Sequence, residues 1–120
     1  MARLGELERK VMDSLWAAYP SDMTGRDVEG QVPGYAYTTI LTILDRLERK
    51  KFVGRTRADR AHRYTALEPR ESYIVKLMQE ALAVTSDRDA ALVRFAETVN
   101  PKEARVLRSA LDPGIADRKS

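Results

Sequence analysis

Thr38, Thr39, Thr42 and Arg46 share one side of a segment whose other side carries Ile40, Ile43, Leu44 and Leu47. The apolar set recurs at i, i+3, i+4 and i+7, the spacing of a helix with one buried face. β-Branched Thr is a poor helix former, and an exposed face chosen for stability alone would carry Glu, Lys or Ala. Thr offers a hydroxyl that both donates and accepts, and a methyl that packs on the methyl of thymine. Arg46, one turn on, can reach guanine with two hydrogen bonds, or a phosphate. The chemistry open to these residues is base reading in a DNA major groove. Helix capping is the competing use for Thr; it suits Thr38, whereas Thr42 lies too far inside.

Next to this face lies a cluster of cations. Between Ala36 and Leu67 eight basic residues face three acidic ones, a local charge of +5 in a chain whose total is +3. Charge focused in this way fits an anionic partner. Arg49, Lys50, Arg55, Arg57, Arg60 and Arg63 are candidate phosphate contacts, which add affinity and register but little sequence information. Tyr37 joins them through its hydroxyl. His62, the only histidine, fits a phosphate donor or a packing residue better than a metal ligand.

Other classes of function lose support from composition. The absence of cysteine removes disulfides, thiolate metal sites and Cys nucleophiles, and a single histidine leaves no basis for a His-based metal site or catalytic dyad. No cofactor is expected. The carboxylates are scattered over amphipathic helices as solvated faces, so no enzyme is expected. No apolar run approaches the roughly 20 residues of a membrane span, and the amino-terminal residues are charged and amphipathic, unlike a signal peptide. Membrane insertion is not expected, and the cytoplasm is the expected compartment.

These residues must be positioned by their elements. Leu4, Leu7, Val11 and Leu15, with Met12 and Trp16, mark a first helix that ends at Tyr19-Pro20. Thr24 and Asp27 form a capping-box pattern for a short second helix with Val28 and Val32 inward, stopped by Pro33-Gly34. The third helix is expected over about 35–50. A strand from Phe52 to Arg57, a turn at Ala58–Ala61 and a strand from His62 to Leu67, with Tyr64 toward the core, complete a hairpin. Three helices followed by a basic hairpin form a winged helix-turn-helix.

After a joint at Glu68-Pro69-Arg70, three further helices follow. Ile74, Leu77, Met78, Ala81 and Leu82 mark one. Leu92, Phe95, Ala96 and Val99 mark the next, from near Ser86. Asn100-Pro101 opens the last, with Leu107 and Leu111 inward, and Asp112-Pro113-Gly114 closes it ahead of a frayed tail. The expected division is a DNA-binding domain over 1–70 and a helical dimerisation domain over 71–120. The second half is neutral and makes a marginal core alone, so Ile74, Leu77, Met78, Leu82, Leu92, Phe95, Leu107 and Leu111 are expected to pair with a second copy.

The chain resembles the BlaI/MecI/CopY penicillinase-repressor family of bacterial winged-helix repressors. The resemblance is carried by Leu4-Gly5-Glu6-Leu7-Glu8 with Val11, Met12 and Trp16; by Ala36-Tyr37-Thr38-Thr39-Ile40 with Thr42, Leu44, Arg46 and Leu47; and by Asp59-Arg60-Ala61-His62-Arg63-Tyr64. It implies a homodimer that represses promoters, often of β-lactam-resistance genes, by binding dyad-symmetric double-stranded DNA operators. It places Thr38, Thr39, Thr42 and Arg46 at the family's major-groove positions. The copper-responsive branch carries a cysteine-rich motif, which this chain lacks. In the β-lactam branch a membrane sensor-transducer triggers proteolysis of the dimerisation domain, in some members at an Asn-Phe bond. The corresponding residues here are Arg94 and Phe95, so Phe is kept and Asn is not. Two alternatives to the repressor reading are a ligand-gated winged-helix regulator and a winged-helix protein-interaction module.

Overall fold

A computed structural model describes residues 3–112 and Gly114. The elements are α1 (Glu6–Ala18), β1 (Met23–Thr24), α2 (Gly25–Gln31), α3 (Tyr37–Arg49), β2 (Val53–Ala58), β3 (Ala61–Ala66), α4 (Arg70–Leu82), α5 (Arg88–Ala96) and α6 (Pro101–Leu111). The architecture is mainly helical with a small antiparallel sheet in the order β1-β3-β2. The expected tail after Asp112 lies, apart from Gly114, outside the described residues.

The apolar stripes meet in one core. Val11, Met12 and Leu15 of α1, Val28 of α2, and Ile40, Leu44 and Leu47 of α3 are fully enclosed. Val53, Tyr64 and Ala66 close it from the sheet. Such burial stabilises by roughly 1.5–3 kcal/mol per large side chain. The turn into α2 is set by reciprocal bonds: the Asp27 amide donates to the Thr24 hydroxyl and the Thr24 amide donates to the Asp27 carboxylate. These bonds hold Asp27 below its ordinary pKa. Ser14, buried in α1, donates to Gln31 at the end of α2 at 2.8 Å, so its hydroxyl is satisfied.

The exit of α3 is a second organised point. The Phe52 amide donates to the Leu47 carbonyl and the Lys51 amide to the Glu48 carbonyl, at 2.9 and 3.0 Å. This is the paired bonding of a Schellman stop. The stop needs a left-handed residue after the cap, and Lys51 supplies it at φ 70° where glycine is usual. Lys50 turns back to α1, its ammonium 2.9 Å from each oxygen of Glu8. Glu8 is only 5% exposed, and it also accepts from the Gly5 amide at the start of α1. Burial pushes the Glu8 carboxyl up, but the Gly5 and Lys50 bonds and the charges of Lys50 and Arg46 outweigh it and hold the group below its ordinary value.

Phe52 then enters an aromatic cluster. Tyr73 of α4 stacks on Trp16 at 5.6 Å and meets Phe52 edge-on at 5.7 Å. The Leu4 amide donates to its hydroxyl at 3.0 Å. Tyr73 is the buried residue of α4, and Leu77 packs partly against the same core. The compact unit that holds the winged helix therefore runs on to Met78, inside α4 and beyond the expected joint, and a second unit begins at Gln79.

In the second unit Asp87 caps α5, and Asn100 and Glu103 form a reciprocal box at the start of α6. Neither helix has a buried residue. Leu107 and Leu111, expected inward, are 40% and 82% exposed. The physical reason is that short single-striped helices offer one another too little apolar surface within one chain.

Two stability outcomes follow from the α3 exit. Glu8→Gln should lower stability by about 1–3 kcal/mol, because a neutral amide replaces the carboxylate and the Lys50 ammonium loses its ion pair. Since the folded pKa of Glu8 is depressed, its contribution is present above the unfolded value and is lost as pH falls through the folded value. Denaturant titrations from pH 7 to pH 3 should therefore show a flatter acid limb for the variant; an unchanged limb would remove Glu8 from the account. Lys51→Gly should raise stability by about 0.5–1 kcal/mol, relieving the left-handed Cβ clash net of the entropy of glycine. Lys51→Val should lower it, and thermal melts of the three proteins provide the comparison.

Candidate nucleic-acid interface

Helix α3 sits on the core through Ile40, Ile43, Leu44 and Leu47. That anchoring leaves Thr38, Thr39, Thr42, Asp45, Arg46 and Arg49 exposed together on the outer side. Capping, the competing use for Thr38, does not occur. The cap is Ala36, which has no side-chain bond. Thr38 contributes its carbonyl, which accepts from the Thr42 hydroxyl at 3.0 Å. This i to i−4 bond is how a Thr inside a helix satisfies its proton. Thr42 therefore presents lone pairs and a methyl outward, which makes it an acceptor for an exocyclic amine and an apolar contact for thymine.

The packing of the start of α2 on α3 depends on a close approach. A Cβ on Gly25 would lie 2.9 Å from the Leu41 Cδ2 and 3.2 Å from the Tyr37 ring. The missing side chain lets α2 lie against the first turn of α3. Tyr37 is half-buried there, with the Arg26 guanidinium 3.7 Å from its ring centroid. Arg26 also bonds Glu29 at 3.1 Å. Sequence reading did not single out Arg26, because it lies outside the basic segment; the signal is the cation–aromatic contact, which only the fold supplies.

The wing is a hairpin closed by Asp59-Arg60, with Asp59 at φ 58°, a left-handed position that Asp tolerates better than most residues. Arg55 pairs with Tyr64 across the strands, Thr56 with Arg63, Arg57 with His62 and Ala58 with Ala61. Strand β1, too short for any periodicity to announce, pairs with β3 at Met23–Tyr64 and Thr24–Arg63.

The candidate cations divide into two groups. Lys50 is engaged by Glu8, as described. Arg55 lies 3.5 Å from Asp45 and 3.4 Å from Glu48, both on α3. Arg63 donates to Asp22 at 2.8 Å, and that bond with the Asp22 charge raises its pKa. Burial raises the pKa of Tyr64 as well, against the opposing effect of Arg55 beside it. Among the described residues Arg46, Arg49, Arg57 and Arg60 make no ion pair. They lie on the outer side of α3 and at the wing tip. Between these two elements opens a cleft of about 560 Å³, with Tyr37, Leu41 and Tyr64 as apolar walls and Arg26, Arg60 and His62 among its polar residues. His62 has no cluster of metal-ligating neighbours among the described residues.

In the second unit and along α4 the apolar candidates stand open. Ile74, Met78, Leu92, Phe95, Leu107 and Leu111 are all exposed, while Leu82 is half-buried. Val75, Val93 and Val106, which the sequence reading did not name, are exposed beside them. Arg94 and Phe95 lie in the last turn of α5, where the Phe95 carbonyl accepts from Thr98. No helix among the described residues is long and apolar enough to cross a membrane.

The family model described as penicillinase repressor matches residues 4–113. Two curated relatives, each named transcriptional regulator BlaI, from Mycobacterium tuberculosis strains CDC 1551 / Oshkosh and ATCC 25618 / H37Rv, are 44% identical over 117 residues. The alignment covers 92% of this chain and 84% of each relative. A solved MarR family protein from Bacillus stearothermophilus aligns over 98% of this chain and 76% of its own, with 20% identity and a TM-score of 0.49. With its family model matched along nearly the whole described length and relatives at this identity, the chain belongs to the penicillinase repressor family of DNA-binding transcriptional repressors.

Proposed function

We propose that the protein represses transcription as a homodimer, each protomer placing α3 in the major groove of one half of a dyad-symmetric operator. The observation that carries this reading is the outer side of α3, where Thr38, Thr39, Thr42 and Arg46 stand exposed beside the unpaired cations of the wing tip. The threonines and Arg46 read base edges; Arg49, Arg57, Arg60 and His62 hold the backbone. Two-fold pairing through the exposed apolar side chains of α4, α5 and α6 supports the dimer, since α5 and α6 bury nothing within one chain. The first unit then binds DNA and the second dimerises, with α4 belonging to both. The recognition helices of such a dimer should sit about 34–36 Å apart, or a multiple of that.

A regulator of this kind works where the DNA is, in the cytoplasm, and no residue is assigned a catalytic role. Genes of the β-lactam-resistance type are the operators we expect, and a membrane sensor-transducer or a protease is the expected control. Cleavage at Arg94–Phe95 would first require the last turn of α5 to unwind, because a protease takes an extended chain. Cutting there would separate the protomers and leave each holding one half-site.

Operator affinity should fall steeply with salt, with a log–log slope of roughly −0.9 for each neutralised phosphate. A flat response would remove the DNA reading and favour a protein partner for α3. Thr42→Ala should cost about 1–3 kcal/mol at the cognate site and relax the base preference there. Arg57→Ala should weaken all sequences alike and make the slope shallower. Competition binding with cognate and scrambled duplexes separates the two effects; identical behaviour of the two variants would overturn the division of labour.

A further inference from the structure

The wing beyond its base has little holding it. Past Tyr64, both strands from Thr56 to His62 are exposed on every residue. A two-stranded ribbon without a covered face is marginal alone, yet a wing that contacts phosphates must point in one direction before it binds. Arg55 and Arg63 stand on adjacent rungs at the base of this ribbon, on opposite strands. Side chains on adjacent rungs emerge on opposite faces of a sheet. On one face Arg55 reaches Asp45 and Glu48 of α3, beside the Tyr64 hydroxyl. On the other, Arg63 donates to Asp22, just before β1.

Resting on the DNA-binding reading above, we propose that Arg55 and Arg63 are positioning residues that tie the wing from both faces, to α3 and to the β1 segment, and are not phosphate contacts. Phosphate contact then falls to the unpaired Arg57 and Arg60 beyond the ties. The pairing also neutralises Asp45, an acid on the DNA-facing side of α3 that would otherwise repel the backbone. The ties are surface ion pairs, individually weak; their effect is on the direction of a ribbon that little else constrains.

Two measurements test this on the full-length chain. The first needs no DNA: hydrogen exchange of the wing amides in wild type, Arg55→Ala, Arg63→Ala and Asp22→Asn. Each variant should speed exchange between Thr56 and His62 by about two- to fivefold while α1 keeps its protection, the signature of local opening. Asp22→Asn matters because it leaves every cation in place. Unchanged wing exchange in all three variants would overturn the proposal.

The second is the salt dependence of operator binding for wild type, Arg55→Ala, Arg63→Ala and Arg57→Ala. The tie variants should bind several-fold more weakly with the slope of wild type, because no phosphate contact is lost. Arg57→Ala should make the slope shallower by about 0.9 for each contact removed. A loss of slope in Arg55→Ala or Arg63→Ala equal to that in Arg57→Ala would overturn the proposal and make them phosphate contacts. A flat wild-type titration would instead strike the DNA-binding reading, and the exchange experiment would still decide whether the ties exist.

Discussion

The chain leaves α3 through three consecutive residues with three different jobs, and the DNA-facing surface depends on them. Lys50 turns back to the buried Glu8 carboxylate of α1. Lys51 takes the left-handed conformation that stops the helix. Phe52 enters the aromatic cluster with Tyr73. Between them they set where α3 ends, how it is fastened to α1 and in which direction the hairpin departs. Glu8 links this exit to the beginning of the chain, since the same carboxylate accepts from Gly5. A buried carboxylate is costly unless it is paired and bonded, and the Gly5 amide and the Lys50 ammonium together offset much of that cost. The pair thus ties the start of α1 to the end of α3.

A count of charge suggests eight interchangeable cations around the recognition helix. The fold makes them unequal. Lys50, Arg55 and Arg63 are consumed by acids at the base of the interface. Arg46, Arg49, Arg57 and Arg60 are left unpaired farther out. A cation already bonded to a carboxylate must break that bond to bind a phosphate, and its counterion release is correspondingly small. A free, hydrated arginine has no such cost. On the proposed reading the electrostatic footprint is narrower than the local charge implies, lying on the outer side of α3 and at the wing tip, where backbone phosphates would flank a groove filled by α3.

Much of this was legible in the sequence, and the illegible parts share a cause. Helix α3 and its two faces followed from the apolar spacing of Ile40, Ile43, Leu44 and Leu47, a local signal within a few turns. The caps at Thr24 and Asn100 were legible for the same reason. Strand β1 was not, because two residues carry no period and the strand exists only through its partner in β3. Tyr73 was overlooked in favour of Ile74 and Leu77: an aliphatic stripe marks a helix, but burial was decided by stacking on Trp16, distant in sequence. The ion pairs are farther still, with Arg63 and Asp22 41 positions apart and Lys50 and Glu8 42 apart. Spacing along a chain cannot reveal which acid meets which base once the separation far exceeds an element's length. Capping, the competing use for Thr38, is excluded more locally, because the helix begins one residue before it and the Thr42 hydroxyl takes its carbonyl.

The same reasoning bears on the second half. Helices α5 and α6 have well-formed starts, with side-chain caps at Asp87 and Asn100, yet they bury nothing. Caps fix where helices begin and contribute about 1 kcal/mol each, whereas isolated helices of 9 and 11 residues are marginal in water. Their exposed leucines, valines and Phe95 would gain from a covering surface, and a second copy is the simplest source. If dimerisation supplies it, helix formation in this half and pairing of the DNA-binding halves become one equilibrium. Any event that opens α5, proteolytic or otherwise, would then remove dimer contacts and helical structure together. Two half-sites held by one dimer gain from effective concentration; separated protomers lose that gain without any change in α3 or the wing. On that reading, control of repression sits in the half of the molecule assigned to dimerisation.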